Sequence, residues 1–342
     1  MARKMIDIPR QFARPKVTIA IPTLNRVGYL QLALKSALAQ TYENIEVLVS
    51  NNASTDETAS YLTSCTDRRL RILHQPKLLS MVGNWNACVA AATGEYFLLL
   101  SDDDLLEPEA IQELVAEYSE TGDSQRVPGI VYGGGNIVNS VGEAIRTFKH
   151  SPRIETAREL IPAFFREERD LWLCAILFRT VDILPGFSAE YLWAPDSMLW
   201  IRTVIQRGYA VFVAKELVRY RIHENLTSSL SLSIWKREIT ELGRFAIEFS
   251  QTVNIPAPGF ATEVNVAVNR LITRSIPSRI NQTLGSNRLQ ALCNYVRELP
   301  VLLRPYGIKF LIRGLISLFL SKDTKTWLRS IFRKQSGKVV DL

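Results

Sequence analysis

Residues 97–108 read FLLLSDDDLLEP, an apolar run that ends abruptly in three consecutive carboxylates. Phe97 to Leu100 has the composition of a buried strand, so Asp102, Asp103 and Asp104 fall at its C-terminal tip. Adjacent anions repel, and a fold gains little by crowding them there. A hard divalent cation such as Mg²⁺ or Mn²⁺, bound by one or two carboxylates together with phosphate oxygens, makes the arrangement favourable. Open α/β sheets bind ligands at the carboxyl ends of their strands. The same residues also fit an acidic turn in which Asp104 caps the helix that Pro108 begins.

Working outward, Val17 to Pro22 (VTIAIP) is a β-branched run closed by Pro, and Asn44 to Ser50 (NIEVLVS) is a second strand. Between them, Leu30, Leu34 and Leu38 recur at helical spacing over 28–39. Asn51 to Thr55 is a polar turn, Asp56 to Cys65 a helix, Arg69 to His74 a third strand, and Asn84 to Thr93 a helix stopped by Gly94. Strand–helix alternation at this spacing predicts an α/β fold, a mostly parallel sheet with helices on both faces. Farther on, Gly129 to Asn139 (GIVYGGGNIVN) predicts a strand whose glycines admit a close backbone approach to a ligand. Leu171 to Arg179 predicts another strand, Ser197 to Gln206 a helix, and Tyr209 to Val213 and Leu217 to His223 two more strands.

Composition restricts the function classes. The chain has 342 residues, 47% apolar and 22% charged, as a globular protein does. Cys65, Cys88, Cys174 and Cys293 are scattered, without Cys-x-x-Cys or a nearby His cluster, which predicts reduced thiols of a cytoplasmic protein and no zinc site. Met1 to Arg14 lacks the apolar core of a signal peptide, and no stretch has the length of a transmembrane helix. The net charge is +7, and the segment 300–342, with nine Lys or Arg against two Asp, carries all of it. The body is therefore neutral, which argues against nucleic acid and for a local anionic contact by the tail.

Four stretches in order resemble a family 2 glycosyltransferase of the GT-A fold, the group that builds bacterial surface polysaccharides such as O-antigen. They are VTIAIPTLNR (17–26), IEVLVSNNASTDET (45–58), GNWNACVAAATGEYFLLLSDDDLLEP (83–108) and YLWAPDSMLWIRTVIQRGYAVFVAKELVRYRIHENLTSS (191–229). The resemblance implies a Rossmann-like GT-A domain with a helical C-terminal extension. It divides the chain into an N-terminal extension (1–15), a nucleotide-sugar half (16–125), an acceptor half (126–230) and a helical C-terminal region (231–342).

It also implies roles. Asp103 would be the direct ligand of Mg²⁺ or Mn²⁺, Asp104 its support, and Asp102 would face the ribose. Pro22, Thr23 and Asn25 after strand one, Asn51 and Asn52 after strand two, and Asn84 would line the nucleotide-sugar site. Many members carry Asp where this chain has Ser101 and the Asn51–Asn52 pair; an amide both donates and accepts, so a base site survives the exchange. Trp85 faces the diphosphate or base, or belongs to the core. Asp196 is placed as the general base that takes the acceptor's proton, although a Pro-Asp pair stands where relatives have two acids, and N-capping competes for it. His223, with Arg221 and Asn225, would close over metal and phosphates. Asp56 is read as a helix cap and Glu190 as a solvated loop residue.

The expected reaction is an inverting, metal-dependent sugar transfer from a UDP, dTDP, GDP or CDP donor to a polysaccharide or lipid-linked saccharide. A non-catalytic sugar-nucleotide-binding relative is the alternative. A nucleotidyltransferase needs a Gly-rich basic loop after strand one, and PTLNRVGYL is not that. Residues 299–334 mix aromatic and aliphatic residues at helical spacing with Lys and Arg, as an interfacial membrane helix on the inner face of the cytoplasmic membrane does; packing on the body is the other reading.

Overall fold

The structure is a computed structural model that describes residues 14–121, 127–184, 186–190, 194–222, 232–253 and 259–284. The chain forms two compact units, one of residues 1–224 and 245–258, the other of residues 225–244 and 259–342.

In the first unit, β1 (Val17–Thr23), β2 (Ile45–Asn51) and β3 (Leu70–His74) pair in parallel, linked by helices α1 (Val27–Leu38) and α2 (Thr58–Ser64). Every residue of β1 and β2 is buried. That is why apolar residues fall on both of their faces, as in Ile19, Ala20 and Ile21 or Val47, Leu48 and Val49: parallel strands covered on both faces have no wet side. α1 buries Leu30, Ala33, Leu34 and Ala37, one stripe at helical spacing.

After α3 (Met81–Ala91), β4 (Tyr96–Leu99) returns to the other side of β1. The strand order therefore reverses between β1 and β4, which opens a crevice at their carboxyl ends. The sheet continues through β9 (Ile176–Arg179), β6 (Ile130–Val138), β10 (Tyr209–Arg221) and the two-residue β5 (Leu105–Leu106); β7 (Ala144–Thr147) and β8 (Ile154–Thr156) pair at its margins. β6 and β10 run parallel to β1, and β9 and β5 run against their neighbours. One sheet thus runs through both 16–125 and 126–230. The remaining helices of this unit are α4 (Ala110–Thr121), α5 (Ala157–Phe165) and α6 (Pro195–Arg207).

Three sequence expectations are corrected. Leu171 to Arg179 is not one strand: residues 173–175 form a 3₁₀ turn and only Ile176–Arg179 pair. The runs expected at 209–213 and from 217 belong, as far as Arg221, to one strand, β10, with irregular register around Glu216, where Ala214, Lys215 and Glu216 are exposed. The glycines of β6 serve strand packing. A Cβ on Gly133 would meet the Leu217 side chain at 2.6 Å, and one on Gly135 would meet the Val218 carbonyl oxygen at 2.4 Å.

In the second unit, residues 232–244 of α7 (Leu232–Thr252) bury Trp235, Ile239 and Leu242, and α8 (Phe260–Leu284) buries Val264, Ala267, Val268 and Ile272. Gly243 lets the helices approach, since a Cβ there would lie 2.6 Å from Val268. No helix among the described residues is long and apolar enough to cross a membrane. The basic tail, the expected His223 and Asn225, and Cys293 lie outside the described residues.

Candidate active site

The triple Asp occupies the turn that carries the chain from β4, at the reversal of strand order, to β5 on β10. Leu100 N–H still bonds Ala20 carbonyl, extending the β1–β4 pairing to the tip, and Asp104 N–H closes the turn on Ser101 carbonyl. Leu106 and Leu105 then pair with Val218 and Arg219. Asp102 and Asp103 converge on one cation, and Asp104 turns to the backbone of β10.

Asp102, 7% exposed, faces β1: Thr23 Oγ1 donates to its Oδ2 at 2.8 Å, and Arg26 Nη1 reaches its Oδ1 at 3.2 Å. Asp103 receives the same Arg26 Nη1 at 3.0 Å. One guanidinium therefore bridges two neighbouring carboxylates from the turn after β1. Burial raises the Asp102 carboxyl to about 6 even though Arg26 and Thr23 favour its charge.

Asp104 is placed differently from the supporting ligand that was expected. It is 1% exposed, and its Oδ1 accepts Arg221 N–H at 2.8 Å. Burial, with the Asp103 charge beside it, pushes its carboxyl well above the usual range. Arg221 does not close over the site either. It is 5% exposed, its Nε donates to Asp103 carbonyl at 2.9 Å, and its Nη1 donates to the carbonyls of Asn139 and Ser140. Arg221 and Asp104 together brace the acidic turn from below.

The loops that would surround a nucleotide are held by side-chain amides. Asn25, at φ 52, has left-handed backbone, which Asn tolerates better than most residues. Its Oδ1 accepts Thr55 N–H at 2.7 Å, tying the turn after β1 to the turn after β2. Asn51 Oδ1 accepts Ser54 N–H at 3.0 Å. Asn52 acts like a strand, donating to Leu79 carbonyl at 3.0 Å and accepting Leu79 N–H at 2.8 Å. Asn84 is buried on α3 and accepts Ser50 Oγ at 2.6 Å. Pro22 lies within β1, and Trp85 packs edge-on against Phe187 at 5.1 Å. Asp56 accepts from both Val27 N–H and Thr58 N–H, tying together the starts of α1 and α2.

Asp196 is the second residue of α6, after Pro195, and Ala194 holds the cap position without a side-chain bond. Asp196 is thus not the N-cap residue, but its carboxylate accepts from the Ser197 and Asp196 N–H groups of the first turn. Burial raises its carboxyl to about 6. Burial pushes the Tyr220 phenol far above its usual range, and the charges of Asp104, Cys174, Asp196 and Asp103 push it further. Trp172 stacks on this ring at 4.2 Å.

Sequence reasoning quoted Arg26 within PTLNR without giving it a role. Its signal was present: a lone cation in the turn after strand one, where the ends of β1 and β4 must meet. Tyr220 carried no such signal, because its neighbours come from three separated segments.

A family model described as glycosyl transferase family 2 matches residues 18–179. An uncharacterized glycosyltransferase of Haemophilus influenzae is 27% identical over 227 residues, covering 63% of this chain and 68% of that protein. Among solved structures, residues 1–349 of S. aureus TarS in complex with UDP superpose with a TM-score of 0.61 at 16% identity, covering 95% of this chain and 94% of that one. The mannosyltransferase PcManGT of Pyrobaculum calidifontis, in complex with GDP-Man and Mn²⁺, gives 0.56 at 17% identity, with 92% and 84% covered. The fold is GT-A, residues 18–179 are a family 2 glycosyltransferase domain, and the chain is a glycosyltransferase.

Proposed function

We propose that the chain transfers a sugar, with inversion, from a nucleotide-diphosphate donor to a hydroxyl of a saccharide or lipid-linked saccharide. The observation that carries this reading is the position of Asp102 and Asp103 in the turn after β4, at the reversal of strand order between β1 and β4. The solved neighbours bound to UDP and to GDP-Man with Mn²⁺ support a nucleotide diphosphate there.

The donor set fits Mg²⁺ or Mn²⁺. Among the described residues no three His, Cys, Asp or Glu side chains converge into a cage. Hard cations held by one or two carboxylates and completed by substrate phosphates need no such cage. Asp103 and Asp102 would hold the ion, with His223 a further candidate. When bound, a divalent cation neutralises the charge that develops on the departing diphosphate.

The chain's own residues do the rest. Thr23 fixes the Asp102 rotamer, and Asp104 with Arg221 fixes the turn that presents Asp103. The loops pinned by Asn25, Asn51, Asn52 and Asn84 form the cradle proposed for base and ribose. Asp196, ionised, takes the proton from the acceptor hydroxyl as its oxygen attacks the anomeric carbon from the face opposite the leaving group. The basic segment 300–342 is proposed to hold the enzyme at an anionic membrane surface, where a lipid-linked acceptor resides.

The test is binding and hydrolysis of UDP-, dTDP-, GDP- and CDP-sugars with and without Mn²⁺. One donor class is expected to bind and turn over only with metal. No metal-dependent response to any donor overturns the reading.

A further inference from the structure

Arg26 is the one residue in this turn that the proposed chemistry leaves unexplained. It occupies the N-cap position of α1, yet its side chain makes no capping bond. Instead a single nitrogen, Nη1, lies 3.2 Å from Asp102 Oδ1 and 3.0 Å from Asp103 Oδ2. A point of positive charge shared by two adjacent carboxylate oxygens is the arrangement a divalent cation would need. The side chain is 36% exposed, against 9% and 11% for its two partners, so it covers the carboxylates from the solvent side and has room to move outward. The backbone that aims it is rigid: Asn25 is clamped to Thr55, and Val27 N–H is held by Asp56.

We propose that Arg26 is a built-in stand-in for the cation. In the free enzyme it bridges Asp102 and Asp103 and offsets part of their charge; it is displaced when metal arrives with a nucleotide diphosphate, and its guanidinium then turns to the phosphates. Three consequences follow. Metal alone binds weakly, because it must expel a guanidinium. Metal and nucleotide bind cooperatively, because phosphate offers the displaced Arg26 a new bidentate partner. The donor site therefore fills as a unit. This inference rests on the proposed metal-dependent reading of the site.

The experiment titrates the full chain with Mn²⁺ at pH 8, following free Mn²⁺ by electron paramagnetic resonance, first alone and then with saturating UDP or GDP. In Arg26→Met, Mn²⁺ alone is expected to bind at least tenfold more tightly than in wild type, while the gain in Mn²⁺ affinity on adding nucleotide shrinks at least tenfold. Arg26→Lys, which keeps the charge without the planar fork, is expected to lie between them. In a thermal melt, Mn²⁺ alone is expected to raise the Tm of Arg26→Met more than that of wild type, which also shows that the variant folds. Equal or weaker binding of Mn²⁺ alone by both folded variants overturns the inference. Asp103→Asn separates the two readings: if Mn²⁺ binding survives it, the metal site itself is wrong, whereas loss of binding with no effect of Arg26 sinks only the stand-in role.

Discussion

The same parallel strands carry a buried acid at each end, and the two ends are built on opposite principles. At the amino end, Glu46 of β2 is 6% exposed and surrounded by donors: Thr18 Oγ1 at 2.6 Å, Thr93 N–H and Oγ1 each at 2.7 Å, Arg71 at 3.0 Å and Lys16 at 3.3 Å. Burial opposes its charge, but the hydrogen bonds from Thr18 and Thr93 outweigh burial and bring the carboxyl down to about 2. At the carboxyl end, Asp102 is 7% exposed, has Thr23 and half of a shared guanidinium, and is raised to about 6. Their exposed surface is alike, but Asp102 lies deeper in the protein and has fewer donors, and both differences push it up. A satisfied carboxylate is part of the scaffold, and an under-satisfied one retains capacity for a ligand.

Breaking the carboxyl end should cost activity and leave the fold intact. Asp103→Ala is expected to lower sugar transfer roughly 10³-fold, as loss of a group serving transition-state charge does, with a Tm within a few degrees of wild type. Asp196→Asn should lower kcat by about 10²–10⁴-fold, the span of a general base, with little change in donor binding measured by calorimetry.

Breaking the amino end should do the reverse. Glu46→Ala strands buried donors and is expected to cost about 3 kcal/mol in urea unfolding at pH 7. A carboxyl whose folded pKa is depressed stabilises fully above its unfolded value and loses that contribution as pH falls through the folded one. The gap between Glu46→Ala and wild type should therefore close between about pH 4.5 and pH 2.

The pH profile sharpens the contrast. Asp196, raised to about 6, is protonated below that pH, so kcat should fall tenfold per unit below about 6 and level off above it. The smallest effect belongs to Asp104. Its ionised form is disfavoured by burial, so Asp104→Asn, which keeps an oxygen for Arg221 N–H, should stabilise the metal-free protein by about 1 kcal/mol at pH 8. That advantage should vanish near pH 4, where the native acid is already neutral.

The sequence made the first half of the fold readable because its strands carry β-branched, apolar runs and its helices are periodic, so β1, α1 and β2 lie within a residue or two of their expected bounds. α3 begins at Met81 rather than Asn84, because the Ser80 cap precedes a Gly83 that reads as a breaker. β10 read as two strands because Ala214 to Glu216 face water at its irregularity. Asp102, Asp103 and Asp196 stand out as candidates from local pattern and resemblance alone. The division of labour within the triplet does not: it depends on Arg26, 76 residues before Asp102, and on Arg221, 117 residues after Asp104. Only the sheet brings those segments to the same turn.

The central claim is that Asp102 and Asp103, at the carboxyl end of the sheet, bind a divalent cation jointly with a nucleotide diphosphate. Isothermal titration of UDP and GDP into wild type and Asp103→Asn, with Mn²⁺ and with EDTA, tests it directly. Wild type is expected to bind one of these nucleotides at least tenfold more tightly with Mn²⁺, and Asp103→Asn to lose that gain. Nucleotide binding that ignores Mn²⁺ in wild type, or a Mn²⁺ gain that survives Asp103→Asn, would contradict the account.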